Sequence, residues 1–335
     1  MSTLALIQVT ALNRYYGKYH AVNDFNLTLH KGEVLGLLGP NGAGKSTTMQ
    51  MLTGNISPSS GDIVINGVDL LEESLEAKRN IGYLPEQPPI YRDMTPVEFL
   101  NYCATLHDIP KNLQTKSLEN TVERCGLGDV KNKLIGTLSK GYQQRVGIAQ
   151  AILHQPELVI LDEPTVGLDP IQITQIRELI RELGKDHSVI LSTHILPEVQ
   201  AVCDRVQIIN QGKTVFADSF KQLAKQSDTS LIVGFNQSAS GSGNEKNILT
   251  AQESIEKVEP LKANQYRLYF KQQPDPSSIF KLAVEQGWVL SELTSDSQTL
   301  EQIFMNLIHS DMPNEKYVKK GGGGYNKEVK GVDDE

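Results

Sequence analysis

Residues 34–47 read Val34-Leu-Gly-Leu-Leu-Gly-Pro-Asn-Gly-Ala-Gly-Lys-Ser-Thr47. The first five residues form a short apolar run, which is typical of a buried strand. The next nine fit the pattern GxxxxGK[ST], and they stand where the pattern requires, after a strand and before a helix. Backbone N–H groups of such a loop surround phosphates, helped by the positive end of the helix that follows. The stretch therefore predicts a phosphate site; a glycine turn with an incidental lysine is the weaker interpretation.

A second stretch supplies the acidic half of a nucleotide site. In Leu158-Val-Ile-Leu-Asp-Glu163, four apolar residues predict a buried strand, and two carboxylates follow at its C-terminal end. Ligands of parallel sheets bind at that end of the strands. Asp162 is placed to hold Mg²⁺ through water, and Glu163 to polarise an attacking water as general base. An ordinary strand with solvated acids at its end is the alternative.

Composition and charge narrow the class of protein. The chain has 335 residues, 39% of them hydrophobic and 21% charged, as in ordinary soluble proteins. A formal net charge of −8 argues against a general nucleic-acid binder. Cys103, Cys125 and Cys203 are widely spaced, which predicts reduced packing thiols of a cytosolic protein. The sequence shows neither a secretory signal nor an apolar run of roughly 20 residues, so no membrane span is expected.

Two folded units and a tail are expected along the chain. In residues 1–224, strands alternate with helices, which indicates a parallel sheet with crossover connections. The pattern is helical over about 88–155, where Thr95-Pro-Val-Glu98 carries a cap residue, a proline and a capping-box glutamate. Residues 225–311 predict a small α+β domain. Residues 312–335 are polar, glycine-rich and acidic, and they predict a disordered tail.

The segment Leu138-Ser-Lys-Gly-Tyr-Gln-Gln-Arg145 identifies a family. A serine and a glycine at the start of a helix offer a hydroxyl, N–H groups and the helix dipole to a phosphate. The segment resembles the LSGGQ signature of ABC ATPases, although Lys140 and Tyr142 stand where glycine and glutamine are usual. Ser139 and Gly141, the phosphate-facing pair, match the signature.

The resemblance is strong over residues 4 to about 220 and implies a fold. That fold is α/β, a P-loop NTPase of the ABC ATPase type with a parallel core sheet, an antiparallel β subdomain and a helical subdomain. A small C-terminal α+β domain follows. The segments Tyr83-Leu-Pro-Glu86 and Thr299-Leu-Glu-Gln-Ile-Phe304 are similar to those of one branch, the ATPases of multidrug, polysaccharide and gliding-motility exporters.

The resemblance also implies site residues. Those implied in ATP binding are Tyr16, Gly39, Pro40, Asn41, Gly42, Ala43, Gly44, Lys45, Ser46, Thr47, Ser139 and Gly141. Those implied in catalysis are Lys45, Glu163 and His194. Those implied in holding Mg²⁺ are Ser46, Asp162 and Glu86.

Several of these assignments have alternatives. Tyr16 resembles the aromatic residue that stacks on adenine, but it also fits an incidental exposed tyrosine. The segment Gly167-Leu-Asp169 resembles the loop that couples two sites across a dimer. Asp169 is also a suitable helix cap before a proline. His194 ends an apolar strand and resembles the switch histidine, whereas a lone histidine is more often structural. The segment 81–87 resembles the Q-loop, in which a glutamine senses Mg²⁺; Glu86 is favoured for the glutamine position, and the neighbouring Gln87 is the alternative.

The function implied by the resemblance is that of an ATP-hydrolysing subunit of a transporter, in the exporter branch. Two copies of the chain would enclose two Mg·ATP between them and pull on separate transmembrane permease subunits docked near 88–106. The location implied is peripheral, on the cytoplasmic side of the membrane, with no nucleic acid as partner. The runner-up is a soluble ABC ATPase of the translation or DNA-repair type. A purely regulatory ATP-binding module is disfavoured because Asp162 and Glu163 are both present.

Overall fold

The computed structural model describes residues 5–225, 230–236, 245–262, 264–271, 275–296 and 299–309. Its strands, in chain order, are β1 Ala5–Tyr16, β2 Tyr19–His30, β3 Val34–Leu38, β4 Ser60–Ile65, β5 Val68–Asp69, β6 Ile81–Leu84, β7 Leu158–Asp162, β8 Ser188–Thr193, β9 Arg205–Asn210, β10 Lys213–Ser219, β11 Ser230–Phe235, β12 Ile255–Lys262, β13 Gln265–Phe270 and β14 Leu290–Asp296. Its α-helices are α1 Lys45–Leu52, α2 Ser74–Arg79, α3 Pro96–Leu106, α4 Lys111–Arg124, α5 Lys140–Ile152, α6 Pro170–Leu183, α7 Leu196–Val202, α8 Phe220–Lys225, α9 Glu245–Thr250, α10 Pro276–Glu285 and α11 Leu300–His309.

A largely parallel sheet forms the centre of the large unit. Its strand order is β10-β9-β3-β8-β7-β6, and the neighbours from β9 to β6 pair in parallel, while β10 is antiparallel to β9. The predicted strands at 34–38 and 158–161 are two of its members. Because every residue of β3 and β7 is buried, both faces of the sheet are covered.

Alternate residues of β7 point into two different apolar clusters. Leu158 and Ile160 pack with the antiparallel sheet of order β2-β1-β4-β5, whereas Val159 and Leu161 pack with the helices on the other side. This follows from the period of two in a strand. Each such side chain stabilises the fold by roughly 1.5–3 kcal/mol when it is fully buried. The parallel sheet therefore lies between the antiparallel sheet on one face and helices on the other, and the fold class is confirmed.

The helical region begins as the sequence predicts. The Thr95 hydroxyl accepts a hydrogen bond from the Glu98 backbone N–H at 3.3 Å, and Glu98 Oε2 accepts from the Thr95 N–H at 2.8 Å. Pro96 occupies the first helical position of α3. Further along, α5 packs against β6, where Gln150 Nε2 donates to the Tyr83 carbonyl at 2.7 Å. The three cysteines are buried free thiols, as predicted.

A second, smaller unit has its own sheet and core. Its antiparallel strands run in the order β12-β13-β11-β14, and α9 and α10 pack on them. The last helix, α11, behaves differently, because Ile303, Phe304 and Ile308 belong to the apolar cluster of the large unit. Asn210 Nδ2 also donates to the Ile308 carbonyl at 2.9 Å. By packing, α11 is thus part of the large unit, although the predicted small domain at 225–311 includes it.

Two predictions concern the membrane and the tail. Within the described residues, no helix is both long and apolar enough to cross a bilayer. The predicted tail at 312–335 and most of the polar loop before α9 lie outside the described residues.

A stacked histidine pair, in which His107 is exposed and His154 is half-buried, makes the stability of the fold depend on pH. The rings of His107 and His154 stack with centroids 3.9 Å apart, and His154 Nε2 lies 3.0 Å from the Ile81 carbonyl. Burial, aided by the nearby His107, lowers the pKa of His154 to about 4. Below the unfolded-state pKa of about 6.5, the unfolded chain binds a proton that the folded chain does not bind. Stability from the neutral ring is therefore full at pH 7 and is lost as the pH falls toward 4.

We expect the free energy of unfolding to fall between pH 7 and pH 5, with about 1 to 2 kcal/mol of the loss due to His154. The variant His154→Gln keeps a donor for the Ile81 carbonyl but has no titrating ring, so it should lose less by that amount. Urea unfolding of both proteins at pH 7, 6 and 5 measures the difference. An equal loss in the two proteins contradicts the assignment.

Candidate active site

The loop between β3 and α1 closes on Lys45. The Lys45 ammonium donates to the Gly39 carbonyl at 2.8 Å and the Pro40 carbonyl at 3.3 Å. Gly44 precedes α1 with φ +104°, and a Cβ there would lie 2.6 Å from the Ala21 carbonyl oxygen. Because a side chain is excluded both by the dihedral angle and by this close approach, the backbone of the loop requires glycine.

The ends of β7 and β8 carry the acidic half of the site. Glu163 directly follows β7, and its backbone N–H donates to the Ser192 carbonyl of β8 at 2.9 Å. Its φ of +49° lies in the left-handed region, which is strained for a residue other than glycine. This turn directs the Glu163 side chain to the cleft that also contains the loop of residues 39–44.

Three predicted catalytic side chains meet in this cleft. The Lys45 ammonium lies 3.4 Å from Glu163 Oε1, and His194 Nδ1 lies 2.9 Å from Glu163 Oε2. Lys45 is 5% exposed and Glu163 6% exposed. A buried carboxylate is costly unless it is paired, and here the ammonium and the imidazole share that role. The two residues predicted next to the γ-phosphate thus both contact the predicted base.

Asp162 is the predicted magnesium ligand and is 3% exposed. Burial raises the pKa of its carboxyl group above the ordinary value, against the opposing effect of the Ser192 and Ser46 hydroxyls. In the described part of the chain, its Oδ1 atom has no hydrogen-bond partner. A buried oxygen without a partner, close to the Ser46 hydroxyl, is an acceptor that a bound cation or water would satisfy.

The cleft has a volume of about 360 Å³. It is lined by Tyr16, Tyr19, Ala21, Asn41, Gly42, Gly44, Lys45, Ser46, Thr47, Glu86, Glu163, Val166 and His194. Glu86 is among these residues and Gln87 is not, which favours Glu86 for the Q-loop position. Tyr16 is 45% exposed at the rim, where the Arg14 guanidinium lies 4.7 Å from its ring centroid. Among the described residues, no three His, Cys, Asp or Glu side chains gather as a metal-binding group.

The signature segment lies in a different place. Ser139 caps α5, and its hydroxyl accepts from the Tyr142 N–H at 3.4 Å. Ser139 and Gly141 line a separate cleft of about 520 Å³, together with Asp169 and residues of α6. Asp169 caps α6 by accepting from the Gln172 N–H at 2.9 Å, so the predicted helix cap is confirmed. One chain therefore does not bring the signature residues to the loop of residues 39–44.

Known proteins are similar to this chain in sequence and fold. The family model of ABC transporters matches residues 22–166. The bacitracin transport ATP-binding protein BcrA of Bacillus licheniformis is 36% identical over 311 residues, which are 92% of this chain and 98% of that protein. This chain belongs to the ABC transporter ATP-binding proteins. As a member of that family, it binds ATP.

Other proteins similar to this ABC protein are also ATP-binding or transporter subunits of the ABC class. The linearmycin resistance ATP-binding protein LnrL of Bacillus subtilis (strain 168) is 31% identical and covers 90% of this chain and 98% of its own. A solved ATP-binding subunit of an ABC transporter is 32% identical with a TM-score of 0.60, covering 66% of this chain and 92% of that one. The solved cbiO1 of Clostridium perfringens, part of the ABC transporter complex cbiONQ, is 29% identical with a TM-score of 0.61, covering 66% and 91%.

The structure of this ABC protein also shows polar residues that the sequence analysis missed. Glu198 is 1% exposed and accepts hydrogen bonds from Thr165 Oγ1 at 2.6 Å and Thr193 Oγ1 at 2.8 Å. A glutamate in the first turn of a short helix looks like an ordinary favourable charge near a helix N-terminus. The signal that distinguishes it is burial, which needs the tertiary structure.

The glycine at residue 44 gives a direct test of the loop. We expect Gly44→Ala to lower the free energy of unfolding by about 3 kcal/mol, because it adds backbone strain and a clash with the Ala21 carbonyl. Gly42→Ala is the matched control, since φ is +79° there but a Cβ would meet nothing within 4 Å. That variant should lose about 1 kcal/mol. Urea unfolding without nucleotide measures both, and equal losses would show that the close approach does not matter.

Proposed function

We propose that this chain hydrolyses ATP to drive export by a separate membrane permease, as a homodimer on the cytoplasmic side of the membrane. The observation that carries the proposal is the contact of Lys45, Glu163 and His194 within the ATP-binding cleft. The exporter assignment is supported by relatives whose names refer to bacitracin transport and linearmycin resistance and which align with about nine tenths of this chain.

Ser46, which lines the cleft, and Asp162, at the end of β7, carry donors that fit Mg²⁺. The Asp162 carboxylate and the Ser46 hydroxyl are hard oxygen donors, and the unpartnered Oδ1 of Asp162 can accept from a metal-bound water. Ser46 and Asp162 would hold the ion, with Glu86 facing the same cleft. When bound, the ion neutralises negative charge on the phosphates.

The side chains suggest how hydrolysis proceeds. Glu163 is the general base, since a carboxylate in the cleft accepts a proton from the attacking water. His194 uses Nδ1 to contact Glu163, so its Nε2 is the atom that faces the γ-phosphate. Lys45 exchanges its contacts with the Gly39 and Pro40 carbonyls for the phosphates and stabilises their charge there.

A second copy of the chain would complete each site. Ser139 caps a helix in a cleft separate from the one that contains Lys45. A two-fold axis that places each signature segment over the ATP of the partner makes two identical sites from one interface. Closure of this dimer by two ATP, and its opening after hydrolysis, would be the movement passed to the permease.

The permease is proposed to dock beside the helical region. In the segment 88–106, Tyr91 and Tyr102 are 52% and 40% exposed and pack edge to face at 5.7 Å. Near the end of that segment lies a cleft of about 860 Å³, to which Leu113 contributes with 49% exposure. The exposed tyrosine pair lies outside this cleft, and the cleft itself has a mixed polar and apolar lining in which Ile109, Leu113 and Leu153 offer apolar contacts to an inserted helix.

Replacing the base separates binding from turnover. Glu163→Gln should lower kcat for ATP by at least about a hundredfold, because the amide does not accept the proton, while ATP still binds. With ATP and Mg²⁺, the variant should also accumulate as a dimer in size-exclusion chromatography. Glu157→Gln is the matched control, a glutamate just before β7, at the other end of the strand, with a 47% exposed side chain. Normal turnover of Glu163→Gln removes that residue from its role.

Co-purification tests the partner. Tagged Glu163→Gln, purified with ATP from gently solubilised membranes, should retain a multi-spanning protein without an ATP cassette of its own. Leu113→Asp in the same background should lose it, since a charge is placed in the docking cleft. Leu75→Asp should retain it, because Leu75 is 83% exposed outside that cleft. Recovery of ribosomes, DNA or soluble factors without a membrane protein would instead favour a translation or DNA-repair ATPase.

A further inference from the structure

A buried carboxylate that does not line the proposed ATP-binding cleft bonds to residues close in sequence to the proposed catalytic residues. Glu198 is in the first turn of α7, and its side chain is 2% exposed. Both of its oxygens are occupied, because Oε1 accepts from Thr165 Oγ1 at 2.6 Å and Oε2 accepts from Thr193 Oγ1 at 2.8 Å. Bonds from hydroxyls to a buried charged acceptor are short and strong.

Thr165 lies in the loop after β7, and Thr193 is the last residue of β8. Thr165 is two residues after Glu163, in the segment that leads to Gly167-Leu-Asp169. Thr193 is the residue before His194, and its hydroxyl also accepts from the Ile195 N–H at 3.1 Å. Glu198 therefore joins the loop that follows β7 to the end of β8, and its two partners are close in sequence to Glu163 and His194.

The charge of Glu198 has partial compensation from a third element. Arg177 Nη2, on α6, lies 4.0 Å from Glu198 Oε1. The same helix begins at the cap residue Asp169, so Arg177 links Glu198 to the helix that follows the segment 167–169. A buried carboxylate costs free energy that apolar side chains of similar size do not cost, so simple packing does not require one here. A carboxylate does, however, fix two hydroxyl donors at once.

We infer that Glu198 is a positioning residue, which holds Thr165 and Thr193 so that Glu163 and His194 keep their relative placement. Glu198 also connects the segment 167–169, which lies at the proposed dimer interface, to His194 through its hydrogen bonds with Thr165 and Thr193. This inference rests on the proposed function, because it assigns no chemistry to Glu198 itself.

The main test changes one hydroxyl at a time. Thr193→Val keeps the shape of the side chain and removes both the bond to Glu198 and the bond from the Ile195 N–H, whereas Thr193→Ser keeps both, and Glu198→Gln changes the carboxylate alone. We expect Thr193→Val and Glu198→Gln to lower kcat for ATP by roughly tenfold to a hundredfold, as for a misplaced catalytic group, with KM changed by less than about threefold. Thr193→Ser should retain a kcat within about threefold of the parent protein. An unchanged kcat in Thr193→Val overturns the inference.

A spectroscopic measurement makes the result independent of turnover. The ring resonances of His194, assigned by their loss in His194→Ala, should shift in Thr193→Val and remain in place in Thr193→Ser. Urea unfolding should give a lower midpoint for Thr193→Val than for Thr193→Ser, because valine leaves a buried carboxylate oxygen without its donor, so both variants are compared without urea, where each is folded. Unshifted His194 resonances, or a loss of stability that accompanies equal changes in kcat and KM, would show that Glu198 has a structural role alone. Because these signals do not need hydrolysis, they distinguish failure of this inference from failure of the proposed function.

Discussion

The site depends on the parallel pairing of β3, β8 and β7. Parallel strands end at the same edge of a sheet, so the residues that follow them are brought together whatever their distance in sequence. Gly39 follows β3, Glu163 follows β7 and His194 follows β8. The pairing is held by side chains that are buried on both faces, and the charged groups at the edge therefore rest on a rigid apolar base. The contact between Lys45 and Glu163 offsets part of the cost of burying two charges, and the packing of the sheet contributes the remaining stability.

Much of this arrangement could be predicted from the sequence, because the signals are local. An apolar run of five residues predicts β3, the glycine pattern predicts the loop, and Thr95 with Glu98 predicts the start of α3. Of the residues that the same local signals predict, most of the loop and Glu163 line one cleft, whereas Asp162 ends β7 beside it and is not among the lining residues. Their chemical roles remain predictions, which the substitutions described above test.

Other features could not be predicted, because they are set by packing between distant segments. The unpartnered oxygen of Asp162 and the hydrogen bonds of Glu198 depend on how segments that are distant in sequence pack at the end of the sheet. The left-handed backbone of Glu163 is likewise not visible in its sequence, where a glycine or an asparagine would be the usual sign. The boundary of the small unit is a further case. Helix α11 is amphipathic like many others, and its sequence does not show which core its apolar face will join.

The position of α11 has a consequence for the architecture of the whole chain. The small sheet unit is preceded by α8 and followed by α11, and both helices contribute to the same apolar cluster of the large unit and contact each other. The small unit is thus attached like a domain inserted into a loop, at two neighbouring points, and not like one that hangs from a single linker. Its removal by simple truncation would also remove α11 and uncover apolar surface on the ATP-binding unit. An excision that joins α8 to α11 would keep that surface covered, so the two units can be separated by design without loss of the larger core.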